Sequence, residues 1–148
     1  MMRVVRICAV GVVCLVAMIV SVSAQSQPNF NGTWVPADAN AKPMSVSGGA
    51  FNCGVECTIT QTDHTLTVSK PANAQGVKPR DTVINLESTA GATSPAQWDG
   101  SVLVLTRALG PTKVVQKLSI EAGKLTIVSE VSPGNVAPLT QIYVKANK

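Results

Sequence analysis

Lys117-Leu118-Ser119-Ile120-Glu121-Ala122-Gly123-Lys124-Leu125-Thr126-Ile127 is the stretch that decides the fold. Leu118 and Ile120 alternate with polar or charged neighbours, and Leu125 and Ile127 repeat the device after a two-residue break. A period of two turns one face to a core and the other to water, the pattern of a half-buried strand. Ala122-Gly123 supplies turn chemistry between the two runs, so the stretch reads as a β-hairpin. The same phrase recurs on either side. Thr62-Asp63-His64 leads into Thr65-Leu66-Thr67-Val68, and Asp99-Gly100 leads into Val102-Leu103-Val104-Leu105. Thr82-Val83-Ile84-Asn85-Leu86 alternates as well, and Gln141-Ile142-Tyr143-Val144-Lys145 closes the chain in the same way. No window of a dozen residues has the 3.6-residue period of an amphipathic helix.

The pattern predicts eight or nine strands, near residues 30–35, 56–61, 65–69, 81–87, 95–99, 102–107, 113–121, 124–131 and 139–145. A string of hairpins makes an antiparallel up-and-down meander. Such a meander hides its edges by closing into a barrel, with an open two-layer sandwich as the alternative. The early strands offer Leu66, Val68, Ile84, Leu86, Leu103 and Leu105 to the interior. The later ones offer Leu118, Ile120, Leu125, Ile127, Ile142 and Val144. These twelve side chains either line a space for one small ligand or fill it, because a barrel of eight strands is only just wide enough for either. Two connections are long, Pro36 to Asn52 and Lys70 to Arg80, and loops of that length tend to be lids or mobile segments. Met44 and Phe51 give the first of them something apolar to lay over a barrel mouth.

Residues 1–24 read as a secretory signal peptide. Arg3 and Arg6 precede an apolar run from Ile7 to Val20, and Val22-Ser23-Ala24 places small residues before Gln25. The run is short of the roughly 20 residues that a membrane span needs. The expectation is therefore a single domain over residues 25–148, secreted or periplasmic, with no stable membrane span once the leader is cut. Without Arg3 and Arg6 the net charge falls from +4 to +2. So small a charge, with only Phe30, Trp34, Phe51, Trp98 and Tyr143 as aromatics, argues against a nucleic-acid partner. It argues equally against a carbohydrate module built on aromatic platforms.

Cys53 and Cys57 are the two cysteines beyond the leader, and an even count in an exported chain points to a disulfide. Four residues along a strand span about 13 Å, too far to bridge, so Cys53-Gly54-Val55-Glu56-Cys57 must turn. The C-x-x-x-C spacing does not match a thioredoxin-like redox pair, and no second ligand pair exists for zinc.

Asn29-Phe30-Asn31-Gly32-Thr33-Trp34 opens the first strand. This G-x-W near the start of a small exported meander resembles the first-strand signature of the lipocalins and the wider calycin group. Gln97-Trp98-Asp99-Gly100-Ser101-Val102-Leu103 and Ala122-Gly123-Lys124-Leu125-Thr126-Ile127 resemble late strands of bacterial exported lipocalin-like proteins. The resemblance implies a closed barrel in which Gly32 and Trp34 are structural, with Trp34 at the narrow end beneath a basic side chain from a late strand. Arg107 and Lys145 are the candidates for that role. A T-D-Y motif is absent, and so is the spread of aromatics that holds biotin in avidins.

The polar residues give little chemistry. His64, the lone histidine, sits beside Asp63 in a turn, where a solvated side chain is the ordinary outcome. One His with two paired cysteines cannot make a zinc site. Asp99 belongs to a turn and Glu56 to an exposed edge, and nothing pairs them as acid and base. Asn31-Gly32-Thr33 matches a glycosylation acceptor. The expectation is a non-enzymatic, monomeric carrier of a small apolar or amphipathic ligand, with no cofactor and no metal. The alternative is a structural or interaction module of the cell envelope with no internal ligand.

Overall fold

Thr, Val and Ile at alternate positions hold the backbone extended and give each strand one apolar face, and the fold follows from joining those faces. The computed structural model describes residues 27–40, 46–72, 78–87, 96–134 and 136–147. The leader at 1–24, Met44 and residues 73–77 of the second long connection lie outside them. The described residues form β1 (Gly32–Pro36), β2 (Cys57–Gln61), β3 (Thr65–Lys70), β4 (Arg80–Asn85), β5 (Ala96–Asp99), β6 (Val102–Leu109), β7 (Thr112–Glu121), β8 (Lys124–Ser132) and β9 (Leu139–Lys145). No helix occurs among them.

The strands make one antiparallel sheet in the order β4-β3-β2-β1-β9-β8-β7-β6-β5. Except at β4–β5, each strand pairs with its neighbour in sequence, and β1 returns to pair with β9 through Trp34↔Lys145, Val35↔Val144 and Pro36↔Tyr143. The meander thus curls into a nearly closed barrel. The seam lies between β4 and β5. Strict alternation around a ring needs an even number of strands, and with nine the last two neighbours must run the same way. No ladder joins β4 to β5 among the described residues.

The β7–β8 hairpin shows how local chemistry sets the register. Ala122 and Gly123 both have positive φ, +48° and +75°, the two-residue geometry that matches strand twist. Glu121↔Lys124 closes the turn, and Ile120↔Leu125 and Leu118↔Ile127 follow on one face. At the β2–β3 hairpin, Thr62 does the corresponding work: its N–H donates to the Thr65 carbonyl, and its hydroxyl accepts from the Thr65 N–H at 3.0 Å.

One core fills the interior. Leu66, Val68, Ile84, Leu103, Leu105, Leu118, Leu125 and Ile127 are buried within it, and Leu86 is buried at its edge. Ile120 is partly buried and packs against it. The expected phase of β9 is corrected by the structure. Ile142 is exposed and Val144 half-buried, while Tyr143 points inward at 2% exposure. Tyr143 wins the inner position because its hydroxyl finds a partner there, donating to the Gly54 carbonyl at 3.2 Å. An inward Tyr needs such a partner, whereas Ile142 and Val144 flank it on the outer face.

Candidate functional site

The barrel has two unlike ends. The base carries the β2–β3, β5–β6 and β7–β8 turns and the chain entry at residues 27–31. The mouth carries the β1–β2, β3–β4, β6–β7 and β8–β9 connections.

Aromatic packing seals the base. Phe30 and Trp34 are fully buried, and Phe30 stacks on Trp98 with ring centroids 6.0 Å apart. The Trp34 indole N–H donates to the Phe30 carbonyl at 2.8 Å, so the buried ring leaves no polar atom unpaired. Lys145 places its Nζ 5.6 Å from the Trp34 ring centroid. Lys145, not Arg107, is therefore the basic side chain over Trp34; Arg107 stands near the mouth. Gly32 makes room for it. A Cβ on Gly32 would lie 3.4 Å from Lys145 Cε, and its φ of +134° is one that side chains rarely adopt. Asn31 and Gln61 tie the entry segment down, with Gln61 Oε1 accepting from the Phe30 N–H at 2.8 Å and Asn31 Oδ1 accepting from the Gln61 N–H. The Asn31 amide also donates to the Gln61 carbonyl, so the glycosylation acceptor is engaged in the fold. Outside this seal lies an open polar pocket of ≈ 250 Å³, lined by Gln27, Asn29, Asn31, Gln61, Thr62 and Asp63.

A connection, not a strand, closes the mouth. Residues 46–53 of the first long loop turn into the barrel and bury Phe51 at 3% exposure within the core. Gln116, an inward residue of β7, holds them there. Its Oε1 accepts from the Phe51 N–H at 2.7 Å, and its Nε2 donates to the Phe51 carbonyl at 2.9 Å and to Ser129 Oγ at 3.2 Å. Gln116 and Ser129 are the buried polar residues of this core, and each satisfies the other. Gly48-Gly49 permits the approach. A Cβ on Gly49 would come within 2.9 Å of the Gln116 amide, and one on Gly48, at φ +84°, would collide with the Leu109 side chain. Phe51, expected to lie over the mouth, is instead buried within the core.

Cys53 and Cys57 form a disulfide with Cα atoms 4.9 Å apart. It joins the Phe51 segment to the first residue of β2, and both cysteines are buried. Tyr143 reaches the same turn through Gly54, and burial pushes its phenol above the ordinary value of 10.0.

The remaining polar candidates stay apart. His64 is exposed and pairs with Glu87 at 2.7 Å, not with Asp63. Glu56 is exposed on the β1–β2 connection and Asp99 is exposed at the end of β5. Among the described residues no three His, Cys, Asp or Glu side chains gather to hold a metal ion, and no helix is long and apolar enough to cross a membrane. Sequence reasoning missed Gln116. Counting by twos from Leu118 puts it on the inner face, but a polar residue at that position is not flagged by an apolar pattern.

No family model matches the chain, and no curated protein matches it. Among solved structures it is similar to a crystal structure of a mutant of the fluorescent protein UnaG, at 19% identity and a TM-score of 0.43. The match covers 80% of this chain and 97% of that one.

Proposed function

We propose that this protein is an exported carrier that binds one small apolar or amphipathic molecule inside its barrel, without catalysis. The observation that carries the proposal is Phe51. The mouth end of the interior holds an aromatic side chain delivered by a loop, its backbone hydrogen-bonded by Gln116 and its segment anchored by the Cys53–Cys57 disulfide. An apolar group on a segment that can leave occupies the space an apolar ligand would take. Around it the wall is aliphatic, with Leu105, Leu118 and Ile127 on strands paired across the long side of the sheet. Burial of ligand surface against such a wall is worth about 25 cal/mol per Å² before the costs of association.

A second reading has its own support. Leu66, Leu103, Leu105, Leu118 and Leu125 have no exposed surface at all. In this conformation the wall is packed, as a ligand-free envelope module would be. The two readings separate on native mass spectrometry of the exported protein against its denatured mass. A carrier gives an adduct of a few hundred daltons that is lost on denaturation. A clean apo mass with no uptake from a lipid extract overturns the carrier and leaves the packed module. The denatured mass tests export at the same time, since cleavage after Ala24 starts the chain at Gln25.

A further inference from the structure

Inward phase continues past the core to the mouth, and there it places cations. In β3 the inner positions Leu66 and Val68 are followed by Lys70. In β4 the buried Ile84 shares its face with Thr82 and Arg80. In β6 the inner positions Leu103 and Leu105 are followed by Arg107, which is the register partner of the buried Val114. Lys70, Arg80 and Arg107 thus sit at the mouth end of the inner face, on strands to either side of the β4–β5 seam.

Among the described residues these cations have no anionic partner. The ion pairs among the described residues are His64–Glu87 and Lys117–Glu130, both elsewhere. Asp38, Glu56 and Asp81, the acidic residues near this end, pair with none of the three. Lys70 and Arg80 are also direct register partners across the β3–β4 ladder. Like charges facing each other across a ladder are unfavourable, and a fold with no use for them would separate them. By contrast, Lys145, the inward cation at the base, is committed to the Trp34 ring.

We infer that Lys70, Arg80 and Arg107 form an anion-recognition rim, and that the molecule taken into the barrel is an anionic amphiphile. The inference rests on the carrier proposal. Its acidic headgroup stays at the mouth against the three cations and its apolar tail replaces Phe51 inside. Guanidinium and ammonium groups bind carboxylate, sulfate and phosphate oxygens through charge-assisted hydrogen bonds, and neutral heads of the same tail length lose that contribution. The headgroup can belong to a free molecule or to one still seated in a membrane.

The test compares dodecanoate with dodecanol by titration calorimetry on the purified protein, and vesicles of phosphatidylglycerol with vesicles of phosphatidylcholine by co-sedimentation. The triple variant Lys70→Gln, Arg80→Gln, Arg107→Gln is measured beside Lys113→Gln. Lys113 lies at the same end but on the outer face of β7, and is the control for net charge. The expected result is dodecanoate bound at least about tenfold more tightly than dodecanol, a preference lost in the triple variant and kept in Lys113→Gln. Cation-dependent binding to phosphatidylglycerol vesicles alone supports the rim and identifies the membrane as the source of the headgroup. Equal binding of dodecanoate and dodecanol, unchanged in the triple variant, overturns the rim and leaves the carrier standing. No binding of either molecule and none of either vesicle overturns both.

Discussion

Replacing Gln116 by Leu tests whether the mouth is held by one side chain. The substitution keeps the volume near that of Gln and removes both hydrogen bonds that hold the Phe51 backbone to β7. Three hydrogen bonds are lost, to the Phe51 N–H, the Phe51 carbonyl and Ser129 Oγ. At about 1 kcal/mol each the direct loss is about 3 kcal/mol. If the segment stays in place, the Phe51 N–H and C=O are left buried and unpaired, at about 1–3 kcal/mol apiece. If it leaves, those groups meet water, and the cost is the burial of Phe51, about 1.5–3 kcal/mol. Leaving is the cheaper course. The buried Leu offsets part of the loss, so Gln116→Leu should lower the urea-derived stability by about 2 kcal/mol. Hydrogen exchange then distinguishes release from strain, because the Phe51 amide should lose its protection while the Leu118 and Ile127 amides keep theirs. A double-mutant cycle with Phe51→Ala adds a second check. Two changes that both release one segment cost less together than the sum of each alone, by about 1 kcal/mol or more. A loss under about 0.5 kcal/mol with the Phe51 amide still protected refutes the reasoning, as does additivity in the cycle.

Two further substitutions test the base seal and the mouth turn. Lys145→Gln removes the cation from the face of Trp34 while keeping a long polar side chain, and should cost about 0.5–1 kcal/mol in thermal unfolding with a change in tryptophan emission. Tyr143→Phe removes the hydrogen bond to Gly54 and should cost about 1 kcal/mol at neutral pH. The Tyr143 phenol titrates above its unfolded value of 10.0 because burial disfavours the anion. Its contribution is therefore fully present below pH 10 and is lost as pH rises through the folded value, since the unfolded chain releases that proton first. Wild-type stability should fall above pH 10 more steeply than that of Tyr143→Phe, and parallel curves would remove Tyr143 as the cause.

The strands were legible because hairpin chemistry and period-two alternation agree along most of this chain. The ladder Leu118↔Ile127 with Ile120↔Leu125 is what the quoted hairpin requires. The phase of β9 was not legible from hydropathy, because Leu139-Thr140-Gln141-Ile142-Tyr143-Val144-Lys145 carries apolar residues on both faces. Its aliphatic pair lies on one face and its Tyr on the other. Two contacts outside the local pattern hold this phase: the Tyr143 hydroxyl donates to the Gly54 carbonyl, and Lys145, on the same face, lies over Trp34. Gln116 and the Phe51 segment were hidden for a different reason. Their contact joins residues 65 apart in the chain, and local periodicity holds no information about such a pair. Gly48-Gly49 was the visible trace, since adjacent glycines mark a place where backbone must come close to something.

The two ends of this barrel differ in what opening them would require, and for the proposed carrier that difference decides where a ligand would enter. At the base, the Phe30 and Trp98 rings stack, the Trp34 indole is hydrogen-bonded, and Lys145 covers the ring from above. Each contact involves a strand or its immediate entry, so opening the base would break ladders as well as packing. At the mouth, Phe51 belongs to a connection that joins no ladder. Removing it breaks the Gln116 contacts and unburies one ring, while the nine strands keep their register. The disulfide bounds that motion. Cys53 is two residues from Phe51 and tied to Cys57 at the start of β2, so the segment can swing out only about this anchor. In the proposed carrier the segment would open and reclose about this anchor, and the route uncovered would pass through the end where Lys70, Arg80 and Arg107 stand.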